Sequence, residues 1–225
     1  MKQKFIRNLY EENEKIWISN KSGIFYSFIR SHKISKELYH ALMSEIYKYV
    51  LRNPINQAAA CINIPDHVNR NAMLKYILKH SAEELGHENM IVRDLKSINI
   101  LDMSKLEEPA LPATEALIGY LESVPQRYGA VARLGYSFWA EDAYDHIREV
   151  TTKIRRDLSL NDSNMTFFVA HEKIDKHHSA QVVDAINQFC VTSDDRTQVL
   201  TVARTTLYLT GKMLDGIAEN YLNAT

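Results

Sequence analysis

Three ionisable residues interrupt a stripe that should stay apolar. Met73, Ile77, His80, Glu84, His87 and Ile91 are separated by 4, 3, 4, 3 and 4 positions. That spacing places them on one face of a helix. A second stripe repeats the pattern: Phe168 leads to His171, Asp175 and His178, then to Val182, Ala185 and Phe189. Two isolated acids behave alike. Glu141 follows Leu134 and Phe138, and Glu45 follows Leu38 and Leu42. Burying such groups unpaired costs several kcal/mol each, so something must compensate them.

A hydrogen-bonded polar network is the plainest compensation. Four helices that each turn a carboxylate or imidazole inward favour a metal centre instead. Carboxylates neutralise a divalent cation, and neutral imidazole adds nitrogen donors. Helical bundles that hold two metals use one Glu from each of two helices and an acid-x-x-His pair from each of the other two. Glu45 and Glu141 fit the single acids, and Glu84-x-x-His87 and Asp175-x-x-His178 fit the pairs. His171 lies one turn before Asp175 and adds a further nitrogen. Mixed O/N donors suit iron, or manganese, better than a closed zinc site, and neither Cys61 nor Cys190 joins the set. A ferritin-like ferroxidase or iron-binding protein could use the same residues. A metal-free helical interaction module is the third class.

The elements that must position these residues are helices throughout. Expected helices cover about 5–18, 23–30, 35–53, 66–98, 113–123, 128–158, 163–191 and 193–221, with a short one before Asn63. Ser35, Asp66, the Asn161–Ser163 cluster and Ser193 serve as caps, and Pro54 and Pro125 serve as stops. The stretch 101–112 is expected as a loop. No residue after Pro125 is proline, which favours long helices. Residues 1–225 thus read as one all-α bundle of about seven to eight helices.

Composition narrows the function. The 225 residues carry 27 Lys and Arg against 28 Asp and Glu, so no basic surface argues for nucleic acid or a membrane anchor. Hydrophobic residues make up 45%, enough for a substantial core. No apolar run is long enough to span a bilayer. The expectation is a cytoplasmic protein, with a homodimer as the simplest assembly. His67, His146 and His177 are expected at the surface, as are His32 and His40.

The segments His80–His87, Arg93-Asp94-Leu95, Gly135–Glu141 and Phe168–His178 resemble the haem-oxygenase-like di-iron oxidases and oxygenases, the iron-containing redox enzymes of the TenA/PqqC-like superfamily. The order and spacing match from about Gly23 to Val191, and His171-x3-Asp175-x2-His178 is the most specific part. The resemblance implies a haem-oxygenase-like all-α fold, two non-haem irons and O2 as co-substrate. An external electron donor is compatible with it. Its members oxidise small amino-acid-like or fatty-acid-like substrates, and one makes aminobenzoate by sacrificing its own residues. It implies Glu84, His87, Glu141, His171, Asp175 and His178 as ligands, with Glu83 an alternative to Glu84. His80 and Glu45 stand as outer or extra ligands. Tyr26, Tyr136 and Trp139, with Tyr47 and Tyr144, are candidates for the substrate pocket. Aminobenzoate formation would need Tyr26 near the metals and a nearby lysine such as Lys153. A thiaminase-like relative would need a nucleophilic cysteine.

Overall fold

The computed structural model describes residues 2–224, and the side chains of all of these except Lys2, Glu141, Tyr144 and residues 173–178. The described chain contains eleven α-helices and no strand. They are α1 (Lys2–Asn20), α2 (Ile24–Ser31), α3 (Lys36–Val50), α4 (Asn53–Ala59), α5 (Arg70–Glu84), α6 (Glu88–Ser97), α7 (Met103–Glu107), α8 (Pro112–Arg127), α9 (Gly129–Asp157), α10 (Thr166–Phe189) and α11 (Ser193–Ala224). Single 3-10 turns follow α4 and precede α10.

The count exceeds the expected seven to eight because two breaks lie where periodicity hides them. The stretch expected as one helix over 66–98 is two. Asn69, not Asp66, caps α5 by accepting the Ala72 amide. α5 then stops at Glu84, because Gly86 takes a φ of +90° that a side chain would resist. The expected loop 101–112 contains α7, whose first turn is capped by Asp102. Pro125 does not end α8 but sits inside its last turn. Its missing N–H leaves the Leu121 carbonyl, four residues back, without its helical donor. The Asn56 amide fills that role by donating to Leu121 O.

The long helix α9 packs against α8, α10 and α11. α9 and α11 approach closely at Gly135, where an added Cβ would run into the Val199 carbonyl of α11. One apolar cluster joins α2, α3, α8 and α11 around Tyr39, Leu117 and Leu207. A second joins α1, α5, α9 and α10 around Leu9, Met73, Leu134 and Val182. Two buried acids tie helix ends to this frame. Asp94 of α6 accepts the Thr166 amide (2.8 Å), the Thr166 hydroxyl (2.6 Å) and the Phe167 amide (2.9 Å). It therefore caps α10 from a different helix, since α10 has no side-chain cap of its own.

Asp195 does the same at the start of α11. It accepts the amides of Val191 and Thr192 and pairs with His67 at 3.1 Å. Burial pushes the Asp195 carboxyl up, but the hydrogen bonds from Thr192 and His67 outweigh it, so its pKa is lowered overall. A lowered folded-state pKa means stability that is complete above the unfolded carboxylate pKa and drains away as pH falls below it. Unfolding titrations at several pH values between about 2 and 5 should show wild type losing stability more steeply than Asp195→Asn. Equal slopes would count against this role for Asp195.

Candidate active site

The break after α5 shapes the first pair of donors. Glu84 is the last residue of α5, and His87 precedes α6. They do not lie on one continuous helix, as the spacing implied. The Leu85–Gly86 turn still brings them together, with His87 Nδ1 3.3 Å from Glu84 Oε2. Both are buried. Burial pushes the Glu84 carboxyl up, but the hydrogen bond from His87 and the charges of His87, His80 and His171 outweigh it and hold the group at about 2. Glu84 is therefore an anionic donor at neutral pH.

His171 comes to the same place from α10. Its ring lies 5.0 Å from that of His87 and 4.4 Å from that of Phe167. Its Nδ1 is 2.6 Å from the Phe167 carbonyl. A carbonyl only accepts, so Nδ1 carries a proton and donates it to Phe167 O. A histidine that ligates a metal typically has its other nitrogen fixed in this way. The cap from Asp94 fixes the same first turn, so Asp94, Phe167 and His171 form one positioning chain.

Glu141 lies on α9, and Asp175 and His178 lie on α10. The side chains of these three expected ligands lie outside the described residues, as does that of Tyr144. Among the described residues, no three or more His, Cys, Asp or Glu side chains are grouped so that they could hold a metal ion by themselves. The types of the described donors suit iron: one buried carboxylate, a neighbouring imidazole and a second imidazole whose Nδ1 is held by a backbone carbonyl.

Two of these donors, Glu84 and His171, lie on the wall of a cavity of about 130 Å3. His80, Glu84 and His171 line it, together with Tyr136 and Trp139 from α9, Phe167 and Phe168 from α10, and Met213 and Leu214 from α11. Most of the lining is apolar, so water is poorly accommodated there. Sequence periodicity did not reveal four of the other contributors. Trp17 of α1 and Tyr49 and Asn53, at the ends of α3 and α4, line the cavity, and Thr210 of α11 joins them. Burial and the nearby Glu84 carboxylate push the Tyr49 phenol up, so it stays a neutral donor.

Several expected residues sit elsewhere. Glu83 pairs with Lys79 at 3.5 Å on the outer side of α5, so Glu84 is the acid that faces the cavity. Glu45 lies at the edge of the α3 stripe. Its carboxylate is taken by Lys48 (2.6 Å) and the Leu111 amide (3.0 Å) in a separate polar cavity. Tyr26 is buried beside Phe25 and under Arg30 but does not line the central cavity. Tyr47 packs against the core and is also not on that wall. His40 is buried beside Ser44 rather than solvated, and His146 stacks on Trp17. His177 lies outside the described side chains.

A family profile described as iron-containing redox enzyme matches residues 40–211. The chain belongs to this family. The chain resembles a domain of unknown function with a haem oxygenase-like fold from Shewanella denitrificans. The two superpose with a TM-score of 0.91 at 34% identity, covering 96% of this chain and 93% of the other. Haem oxygenase-1 from the cyanobacterium Synechocystis, solved with haem, shares the fold at a TM-score of 0.72 and 14% identity, over 98% of this chain and 95% of that one. A 4-aminobenzoate synthase from Nitrosomonas europaea is 24% identical over 208 residues, 88% of this chain and 85% of the relative. The fold is thus haem-oxygenase-like, while the cavity of about 130 Å3 is far too small for a porphyrin. Burial pushes the Cys190 thiol up to about 12 and raises that of Cys61 as well, the opposite of what activates a thiolate. Among the described residues, no helix is long and apolar enough to cross a membrane.

Proposed function

We propose that this protein is an O2-activating oxidase or oxygenase that uses two non-haem irons to oxidise a small organic molecule. The observation that carries this reading is the placement of Glu84 and His171 on the wall of one apolar cavity, with His87 beside both of them. Glu84, His87 and His171 would hold iron, with Glu141, Asp175 and His178 as the remaining ligands implied by the family resemblance. Ferrous iron, when bound, supplies electrons to O2.

The chain's own residues do the rest. Phe167, Phe168, Trp139 and Met213 exclude water around the substrate. The neutral Tyr49 phenol offers a hydrogen-bond donor near the Glu84 end. An apolar protein cavity of roughly 150 Å3 holds a benzene molecule. A cavity of about 130 Å3 therefore takes a single ring or a short chain rather than a long fatty acyl tail.

The test is to load apo-protein anaerobically with two equivalents of Fe(II), add O2 and a panel of small amines and carboxylic acids, and follow O2 uptake with product analysis. O2 uptake coupled to loss of one organic compound supports the reading. Steady oxidation of excess Fe(II) with no organic product points to a ferroxidase and overturns it.

Aminobenzoate formation is a second reading, favoured by the name of the Nitrosomonas relative. Tyr26 lies off the cavity wall, and Lys153 is engaged by Asp157 at 2.8 Å. Mass spectrometry of the iron-loaded, O2-exposed chain distinguishes the two. A mass loss mapping to Tyr26 supports self-sacrifice, and an intact Tyr26 removes it.

A further inference from the structure

Arg133 of α9 is one of the largest fully buried side chains in the protein. Its guanidinium meets only neutral groups among its hydrogen-bond partners. Nε donates to Asn56 Oδ1 (2.5 Å), one terminal nitrogen donates to the Ser137 hydroxyl (2.9 Å), and the other donates to Asn53 Oδ1 (2.8 Å). The Tyr136 ring lies 4.1 Å beneath it. Burial pulls Arg133 down to about 10, so it remains a cation at neutral pH. A buried cation held only by neutral dipoles is costly and calls for an anion nearby.

Asn53 connects that cation to the site. With Oδ1 facing the guanidinium, the orientation of the Asn53 amide is fixed, and its Nδ2 must face the other way. It donates to Glu84 Oε2 at 2.9 Å. Oε2 is also the oxygen near His87 Nδ1. Oε2 is therefore taken by the Asn53 amide, which leaves Oε1 as the oxygen turned to other work.

We propose that Arg133 and Asn53 form a positioning relay that orients Glu84 and directs Oε1 to the metal. The inference rests on the iron reading above. Neither residue touches the reacting atoms. The guanidinium sets the amide, and the amide sets the carboxylate.

The test compares wild type, Asn53→Leu and Ser137→Ala by anaerobic Fe(II) titration calorimetry, by the visible bands of the Co(II)-loaded protein, and by thermal unfolding. Both variants take one hydrogen-bond partner from Arg133, but only Asn53→Leu also takes the donor from Glu84. Loss of an outer partner of a metal ligand typically weakens binding 10–100-fold, and about that loss is expected for Asn53→Leu. Its Co(II) bands should shift, while Ser137→Ala should keep both affinity and bands despite a lowered Tm. Equal metal affinity and identical bands in Asn53→Leu and wild type overturn the relay alone. No metal uptake by wild type overturns the iron reading, and the relay with it.

Discussion

Glu84→Gln is expected to weaken Fe(II) binding by more than about 100-fold while leaving the apo-protein folded. The substitution keeps the shape and one acceptor for the Asn53 amide, so the cavity wall should survive. It removes the only buried carboxylate among the described cavity-lining residues, and with it the charge that neutralises a divalent cation. Changing an outer partner of a ligand already costs roughly 10–100-fold, so removing a direct donor should exceed the upper end of that range. Fe(II) calorimetry on the variant, with circular dichroism as the folding control, reads the effect. An affinity within tenfold of wild type would mean that Glu84 is not a ligand.

The second large effect belongs to a residue that touches no metal donor. Asp94→Ala is expected to lower the unfolding free energy by about 3 kcal/mol. It leaves two backbone amides and the Thr166 hydroxyl without an acceptor, and each buried unsatisfied group costs roughly 1–3 kcal/mol. Loss of a helix cap alone costs about 1–2 kcal/mol. The damage is local to the turn that ends at His171, whose Nδ1 depends on the Phe167 carbonyl. Fe(II) affinity should fall together with stability. Asp94→Asn, which keeps one acceptor oxygen, should lie between the two. Urea titrations check the stability, and a change below about 1 kcal/mol for the alanine variant would remove Asp94 from the positioning chain.

The fold class was legible because helical periodicity is long-ranged and proline is absent after Pro125. The site was legible where a polar residue broke an apolar stripe, as at His80, Glu84 and His171. Periodicity failed where a break preserved the phase. The step from Glu84 to His87 equals a helical spacing, so the turn at Gly86 left no mark in the pattern. It also misplaced Glu45, because a stripe has edges. Lys48 and the Leu111 amide, distant in sequence or on the flank, compete for that carboxylate. Nothing in the sequence links Asn53 to Arg133. Asn53 reads as the end of a helix stopped by Pro54, and Arg133 reads as a candidate to hold a substrate carboxylate. Only the packing of α4 against α5 and the burial of α9 show that they meet behind Glu84.

The central claim is a buried site for two irons built on Glu84, His87 and His171. Its most direct test is anaerobic Fe(II) titration of the metal-free protein, with stoichiometry and Tm followed together, in wild type and His171→Ala. The account predicts uptake of about two Fe(II) per chain by wild type, with Tm rising as the site fills, because a ligand at 100 times its Kd adds about 2.7 kcal/mol of stability. In His171→Ala both the uptake and the rise in Tm should be largely lost. A wild type that takes up no Fe(II), or a His171→Ala variant that binds iron as wild type does, would contradict it.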